Sequence, residues 1–126
     1  MPRVLYIEDN RDNRKLVYRI LAVEGFEVLE ASSAQEGIQI AETELPDLIL
    51  MDVNMPTMDG LTATRLIREN EHISHIPVIA LTANVMRGDR EKAITWGCDG
   101  YISKPIDVDR FPGEVAAYIE QFGGRK

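Results

Sequence analysis

Five short segments of low polarity punctuate the chain: Val4-Leu5-Tyr6-Ile7, Glu27 to Ala31, Leu48-Ile49-Leu50-Met51, Val78 to Thr82 and Gly100 to Ser103. Most are continuously apolar rather than alternating, which marks strands covered on both faces, as in a parallel sheet. Helical spacing fills the intervals. A first helix is predicted over Asn13 to Glu24, with Leu16, Val17, Ile20 and Leu21 as its apolar stripe and Gly25 as its stop. The second is capped by Ser32 or Ser33, with Glu36 placed three residues after Ser33 as in a capping box. Its buried face is Ala34, Gly37, Ile38, Ala41 and Leu45, and Pro46 ends it. A third runs from near Gly60 to about Glu69 and buries Leu61, Thr64 and Ile67; the polar stretch Asn70 to His75 is a loop. A fourth starts near Gly88-Asp89 and stops at Gly97.

The last helix meets a conflict. Pro112-Gly113 follows Asp107 by five residues, and proline is tolerated only in a first turn. The helix is therefore predicted to begin near Phe111-Pro112 and reach about Gln121, after a looser turn from Asp107 to Arg110. Phe111, Val115, Tyr118 or Ile119, and Phe122 would face the sheet. The strand-helix alternation runs from end to end, the pattern of an α/β fold.

If the strands are parallel, their carboxyl ends share one edge, where ligands of open α/β sheets gather. Glu8 and Asp9 follow the first run, Asp52 ends the third, Thr82 the fourth, and Lys104 follows the fifth. Three carboxylates at one edge repel one another and are costly to desolvate. A hard divalent cation removes that penalty, and oxygen ligands at this density suit Mg²⁺, with Mn²⁺ as the alternative.

Composition narrows the picture. The 126 residues suit one domain with a single core, and no stretch approaches the roughly 20 apolar residues of a membrane span. Cys98 is the only cysteine, so an intrachain disulfide is impossible and a cytosolic protein is the expectation. A net charge of −7 argues against a broad nucleic-acid surface.

Several motifs in order resemble the response-regulator receiver domains of the CheY-like superfamily. They are Tyr6-Ile7-Glu8-Asp9-Asn10, Asp47-Leu48-Ile49-Leu50-Met51-Asp52, Met55-Pro56-Thr57-Met58-Asp59-Gly60, Ile79-Ala80-Leu81-Thr82-Ala83 and Tyr101-Ile102-Ser103-Lys104-Pro105. The resemblance spans Val4 to Phe122. It implies a doubly wound five-stranded parallel sheet in the order 2-1-3-4-5, flavodoxin-like, in three layers. Glu8-Asp9-Asn10 with Asn13, and Thr82-Ala83-Asn84 with Gly88-Asp89, look like phosphorelay and hybrid-kinase receivers. The whole chain looks like stand-alone regulators of the DivK type, a single receiver domain over 1–126 with no output domain.

What the resemblance implies is residue-specific. Asp52 would accept a phosphoryl group from a phosphohistidine of a histidine kinase or phosphotransfer protein. Asp9, Asp52 and the backbone carbonyl of Asn54 would bind Mg²⁺, with Glu8 acting through a water. Lys104 would pair with the acyl phosphate, and Thr82, beside Ala83, would bond a phosphoryl oxygen. Tyr101 would change rotamer as Thr82 moves, and the Lys104-Pro105 bond would be cis. The output surface would be the fourth and fifth predicted helices with the fifth strand, including Arg87, Arg90, Trp96, Tyr101 and an adaptable stretch from Asp107 to Gly113. No nucleic-acid or membrane partner is expected.

Plainer readings stand beside these. Asp52 alone could be an ordinary strand end, and Tyr101 a half-buried aromatic. His72 and His75 have a metal-pair spacing, but their loop offers no further ligand. Cys98 reads as a packing residue. An aspartyl-phosphate phosphatase would need a second acid two residues after Asp52, where Asn54 cannot transfer protons. A flavodoxin-like carrier is disfavoured by Glu8-Asp9-Asn10-Arg11-Asp12, which would repel a phosphate. A receiver cut from a hybrid kinase remains open.

Overall fold

The computed structural model describes residues 2–53, 60–82, 91, 94–95 and 97–122. Its elements are β1 (Arg3–Ile7), α1 (Arg11–Val23), β2 (Glu27–Ala31), α2 (Ala34–Glu44), β3 (Leu48–Asp52), α3 (Gly60–Glu69), β4 (Val78–Thr82), β5 (Gly100–Ser103) and α4 (Phe111–Phe122). All neighbouring strands pair in parallel, in the order β2-β1-β3-β4-β5. The helix predicted from Gly88 to Gly97 falls mostly outside the described residues, as do Asn84, Arg87, Arg90 and Trp96. No helix among the described residues is long and apolar enough to cross a membrane.

Successive side chains of a strand point to opposite faces, and both faces here are covered. Val4, Tyr6, Leu48, Leu50, Ile79, Leu81 and Ile102 pack with Val17, Ile20 and Leu21 of α1 and with Phe111 and Val115 of α4. Leu5, Ile7, Ile49, Met51, Val78 and Ala80 pack with Ala34 and Ala41 of α2 and Ala63 and Ile67 of α3. This explains the absence of alternation in the sequence: β3 and β4 are buried at every position.

Local signals set the ends. Ser33 is the N-cap of α2, its hydroxyl accepting from Glu36 N at 3.2 Å, while Glu36 Oε1 accepts from Ser32 N at 2.7 Å. The reciprocal bond thus reaches Ser32 rather than the cap residue itself. α1 begins two residues before the predicted start, because the Asn10 side chain accepts from Asn13 N at 2.9 Å and caps the helix.

Three packing expectations are corrected. Leu16 is exposed, since it lines a cleft over the strand ends instead of facing the sheet. Leu45 is exposed too: it occupies the left-handed C-cap of α2 and turns away from the core. Conversely, Ile73, inside the stretch read as polar loop, is fully buried. The Leu61 side chain lies outside the described residues.

The turn before α4 is present but fastened rather than loose. Asp107 Oδ1 accepts from Asp109 N at 3.0 Å and from Arg110 N at 3.3 Å, and its carbonyl accepts from Phe111 N at 2.8 Å. Phe111, fully buried, then anchors the helix whose second residue is Pro112. Pro112 has no N–H, and in this first turn the missing donor is one that would lack an intrahelical acceptor in any case.

Gly100 opens β5 beneath α4. A Cβ there would lie 2.6 Å from Tyr118 Cε1, against a ring whose hydroxyl donates to Tyr101 O at 3.1 Å. Gly100→Ala should therefore displace Tyr118 and cost about 1–3 kcal/mol in urea unfolding. Adding Tyr118→Ala should cost less in that background than in the parent. Additive costs of the two changes would argue against the contact.

Candidate functional site

Strand register levels the four carboxyl ends. Ile7 lies beside Met51, Asp52 beside Leu81, and Thr82 beside Ser103. The ladder continues one step beyond the strands, with Glu8 N donating to Ala31 O at 3.0 Å and Lys104 N to Thr82 O at 2.8 Å. Side-chain alternation does the rest. Tyr6 and Glu8, Leu50 and Asp52, and Ile102 and Lys104 form three pairs two residues apart, so Glu8, Asp52 and Lys104 turn toward the α1 side. Thr82, next to buried Leu81, takes the opposite parity.

The convergence is measurable. Lys104 Nζ donates to Asp52 Oδ1 at 3.0 Å and stands 3.6 Å from Glu8 Oε1. Carboxylate oxygens of Glu8, Asp9 and Asp52 lie within 4.8 Å of one another. Glu8 and Asp52 are each only 2% exposed, whereas Asp9 is open to solvent. Among the described residues, three carboxylates therefore face the one ammonium of Lys104. Burial, followed by the hydrogen bond and charge of Asp52, pushes the Glu8 carboxyl up from 4.5 to about 7, against the pull of Lys104. Such an excess of close oxygen donors fits a hard divalent cation, which would relieve the repulsion.

Most of the predicted residues can be placed. Glu8, Asp9, Asp52 and Lys104 come together; Thr82 is buried at the neighbouring strand end; Tyr101 is half-buried and packs against the α2–α3 side of the core. The Lys104-Pro105 peptide is cis, as expected. Asn54 and Ala83 lie outside the described residues, together with the motif from Met55 to Asp59. His72 and His75 join no group of potential metal ligands among the described residues. Cys98 is buried, its Sγ 3.6 Å from Thr64 Oγ1, and burial pushes its thiol pKa up.

Three supporting residues were given no role at the site by sequence reasoning. Tyr6 donates its hydroxyl to Glu8 Oε1 at 3.1 Å, and Asn13 Nδ2 donates to the same oxygen at 3.3 Å. Arg14 Nη1 donates to the carbonyls of Glu8 and Asp9 at 2.8 and 3.1 Å, which fixes the backbone of the acidic loop. The available signal was Tyr6 itself: a phenol in a strand of aliphatic residues needs a buried partner. Beside the site, Tyr6, Asn13, Leu16, Lys104, Pro105 and Ile106 line a cleft of about 190 Å³.

Residues 4–116 match the family model of the response regulator receiver domain. The chain belongs to that family. It is a receiver domain of a two-component response regulator, a signalling rather than a metabolic module. The polar-differentiation response regulator DivK of Brucella ovis is 41% identical over 116 residues, covering 92% of this chain and 94% of the relative. Among solved structures, the receiver domain of a sensor histidine kinase from Pseudomonas aeruginosa PAO1 is 33% identical with a TM-score of 0.84, covering 98% of each chain. That structure has a magnesium ion in its active-site cleft. The Vibrio cholerae chemotaxis protein CheY4 superposes with a TM-score of 0.87 at 26% identity, covering 93% of this chain and 98% of that one.

Proposed function

We propose that Asp52 accepts a phosphoryl group from a phosphohistidine on a histidine kinase or phosphotransfer protein, and that this chain acts as a DivK-like regulator in the cytosol. The observation that carries the reading is the Asp52 carboxylate itself, almost fully buried at a sheet edge and bonded to Lys104 at 3.0 Å. A carboxylate in that setting is held in one orientation, with a cation ready beside any anionic group it receives.

Asp9 and Asp52, with the Asn54 carbonyl, would hold Mg²⁺, and Glu8 would act through a retained water. The ion supplies charge compensation for the transferring phosphoryl group. Lys104 would exchange its bond to Asp52 Oδ1 for one to a phosphoryl oxygen, as a point charge. Thr82, one strand over, would donate its hydroxyl to another oxygen, with Ala83 beside it. Tyr101 would then move toward the space that Thr82 leaves, transmitting the change to β5 and α4 and to a protein partner there. The chain would turn over no substrate beyond its own acyl phosphate.

Acetyl phosphate with Mg²⁺ should raise the intact mass of the wild type by one phosphoryl group and leave Asp52→Asn unchanged. Asp9→Asn should slow incorporation at least tenfold by weakening the metal site, within the range seen when metal-site support is lost. Equal labelling of wild type and Asp52→Asn would refute the assignment. A second reading, a receiver excised from a hybrid kinase, draws on the 33% identity to a sensor-kinase receiver and uses the same chemistry.

A further inference from the structure

Tyr6 is fully buried, one residue from the end of β1, and its hydroxyl reaches the edge of the acidic cluster. It and Asn13 both donate to one oxygen, Oε1 of Glu8, at 3.1 and 3.3 Å. The Lys104 ammonium stands 3.6 Å from that same atom. Among the described residues, the backbone N–H nearest Oε2 is that of Asn10, at a longer 3.5 Å. The two oxygens of one carboxylate are thus treated unequally: two side-chain donors hold Oε1, and a single longer backbone contact reaches Oε2.

We propose that Tyr6 and Asn13 are positioning residues whose clamp on Glu8 Oε1 makes the acidic cluster selective for Mg²⁺ over Ca²⁺. The inference rests on the reading of that cluster as a divalent-cation site. A carboxylate with one oxygen saturated by donors can offer only the other, directly or through a water. Mg²⁺ demands compact octahedral geometry and is content with few protein ligands and several waters. Ca²⁺ takes six to eight oxygens at longer distances and commonly recruits a carboxylate through both oxygens. Pinning Oε1 therefore withholds a ligand that Ca²⁺ would use and Mg²⁺ would not. Tyr6 suits the task because β1 is rigid and its burial holds the phenol well above its ordinary pKa, so the hydroxyl remains a donor.

Calorimetric titration of wild type, Tyr6→Phe and Asn13→Ala with Mg²⁺, and with Ca²⁺ in competition against it, tests the clamp at fixed pH and ionic strength. Tyr6→Phe preserves ring volume, and Asn13→Ala leaves the backbone bond to the Asn10 cap intact, so both should fold. The ratio of Mg²⁺ to Ca²⁺ affinity should fall on the order of tenfold in Tyr6→Phe. It should fall less in Asn13→Ala, whose bond is longer. The ratio is the readout because a general loosening lowers both affinities together. An unchanged ratio in both variants overturns the proposal, whatever happens to the melting temperature. Failure of the wild type to bind Mg²⁺ at all would overturn the metal reading first, and this inference with it.

Discussion

Arg68→Ala should be among the most destabilising single changes in the chain, on the order of 3–5 kcal/mol in urea or thermal unfolding. Arg68 lies near the end of α3, yet among the described residues its guanidinium serves four acceptors on two other stretches, 74–76 and 97–99. Nη1 donates to Ser74 O at 2.9 Å and Ile76 O at 2.7 Å, and Nε to Gly97 O at 2.8 Å. Nη2 pairs with Asp99 Oδ2 at 2.6 Å, and that oxygen also accepts from Val78 N at 2.9 Å. The side chains are 22% and 10% exposed, so this is not a screened surface pair. Truncation would take the charge partner from a largely buried carboxylate and leave three carbonyls short of donors. A planar fork makes these bonds together where an ammonium cannot, so Arg68→Lys should recover little. For a domain of this size the melting temperature should fall by roughly 10–20 °C. A loss below about 1 kcal/mol would mean that water replaces the guanidinium without cost.

Arg68 also marks where sequence reading stops. A helical arginine near a C-terminus reads as solvated, since nothing local says that four acceptors will converge on it from residues 74 to 99. The strands were legible for the opposite reason. Burial on both faces leaves an uninterrupted apolar run, which is a local property, and the polar residue ending each run falls at the ligand edge by topology alone. Glu8, Asp9, Asp52, Thr82 and Lys104 could therefore be gathered before their distances were known. Leu16 and Ile73 could not be assigned, because helical spacing identifies an apolar stripe but not its margin, and an isolated isoleucine among polar residues carries no period. Tyr6 and Asn13 fell between these cases: their types were visible, but the atom they share is a matter of ångströms.

Apo protein should lose stability as pH rises from about 5 to 8, and Mg²⁺ should reverse the trend. The Glu8 carboxyl is held up at about 7, above its ordinary 4.5, chiefly by burial. Between those values the folded state holds a proton that the unfolded chain has released, so stability falls with pH across this window. The contribution is fully present below about 4.5 and lost by the time pH has passed through 7. A rise of that size corresponds to at most on the order of 3 kcal/mol, since one pH unit is about 1.4 kcal/mol. Glu8→Gln cannot titrate, so the difference between wild type and this variant isolates Glu8 from every other group. A divalent cation needs the deprotonated carboxylate, so its affinity should climb over the same window. At 100-fold excess over its Kd it should add about 2.7 kcal/mol at pH 8, and much less at pH 5. Melting curves for both proteins, with and without Mg²⁺ across this range, give the four profiles required. Parallel apo profiles for wild type and Glu8→Gln would show that Glu8 is not strained in the empty cluster. The converse pattern, a wild type flattened by Mg²⁺ and a Glu8→Gln variant flat without it, ties the instability of the site to the charge it is built to neutralise.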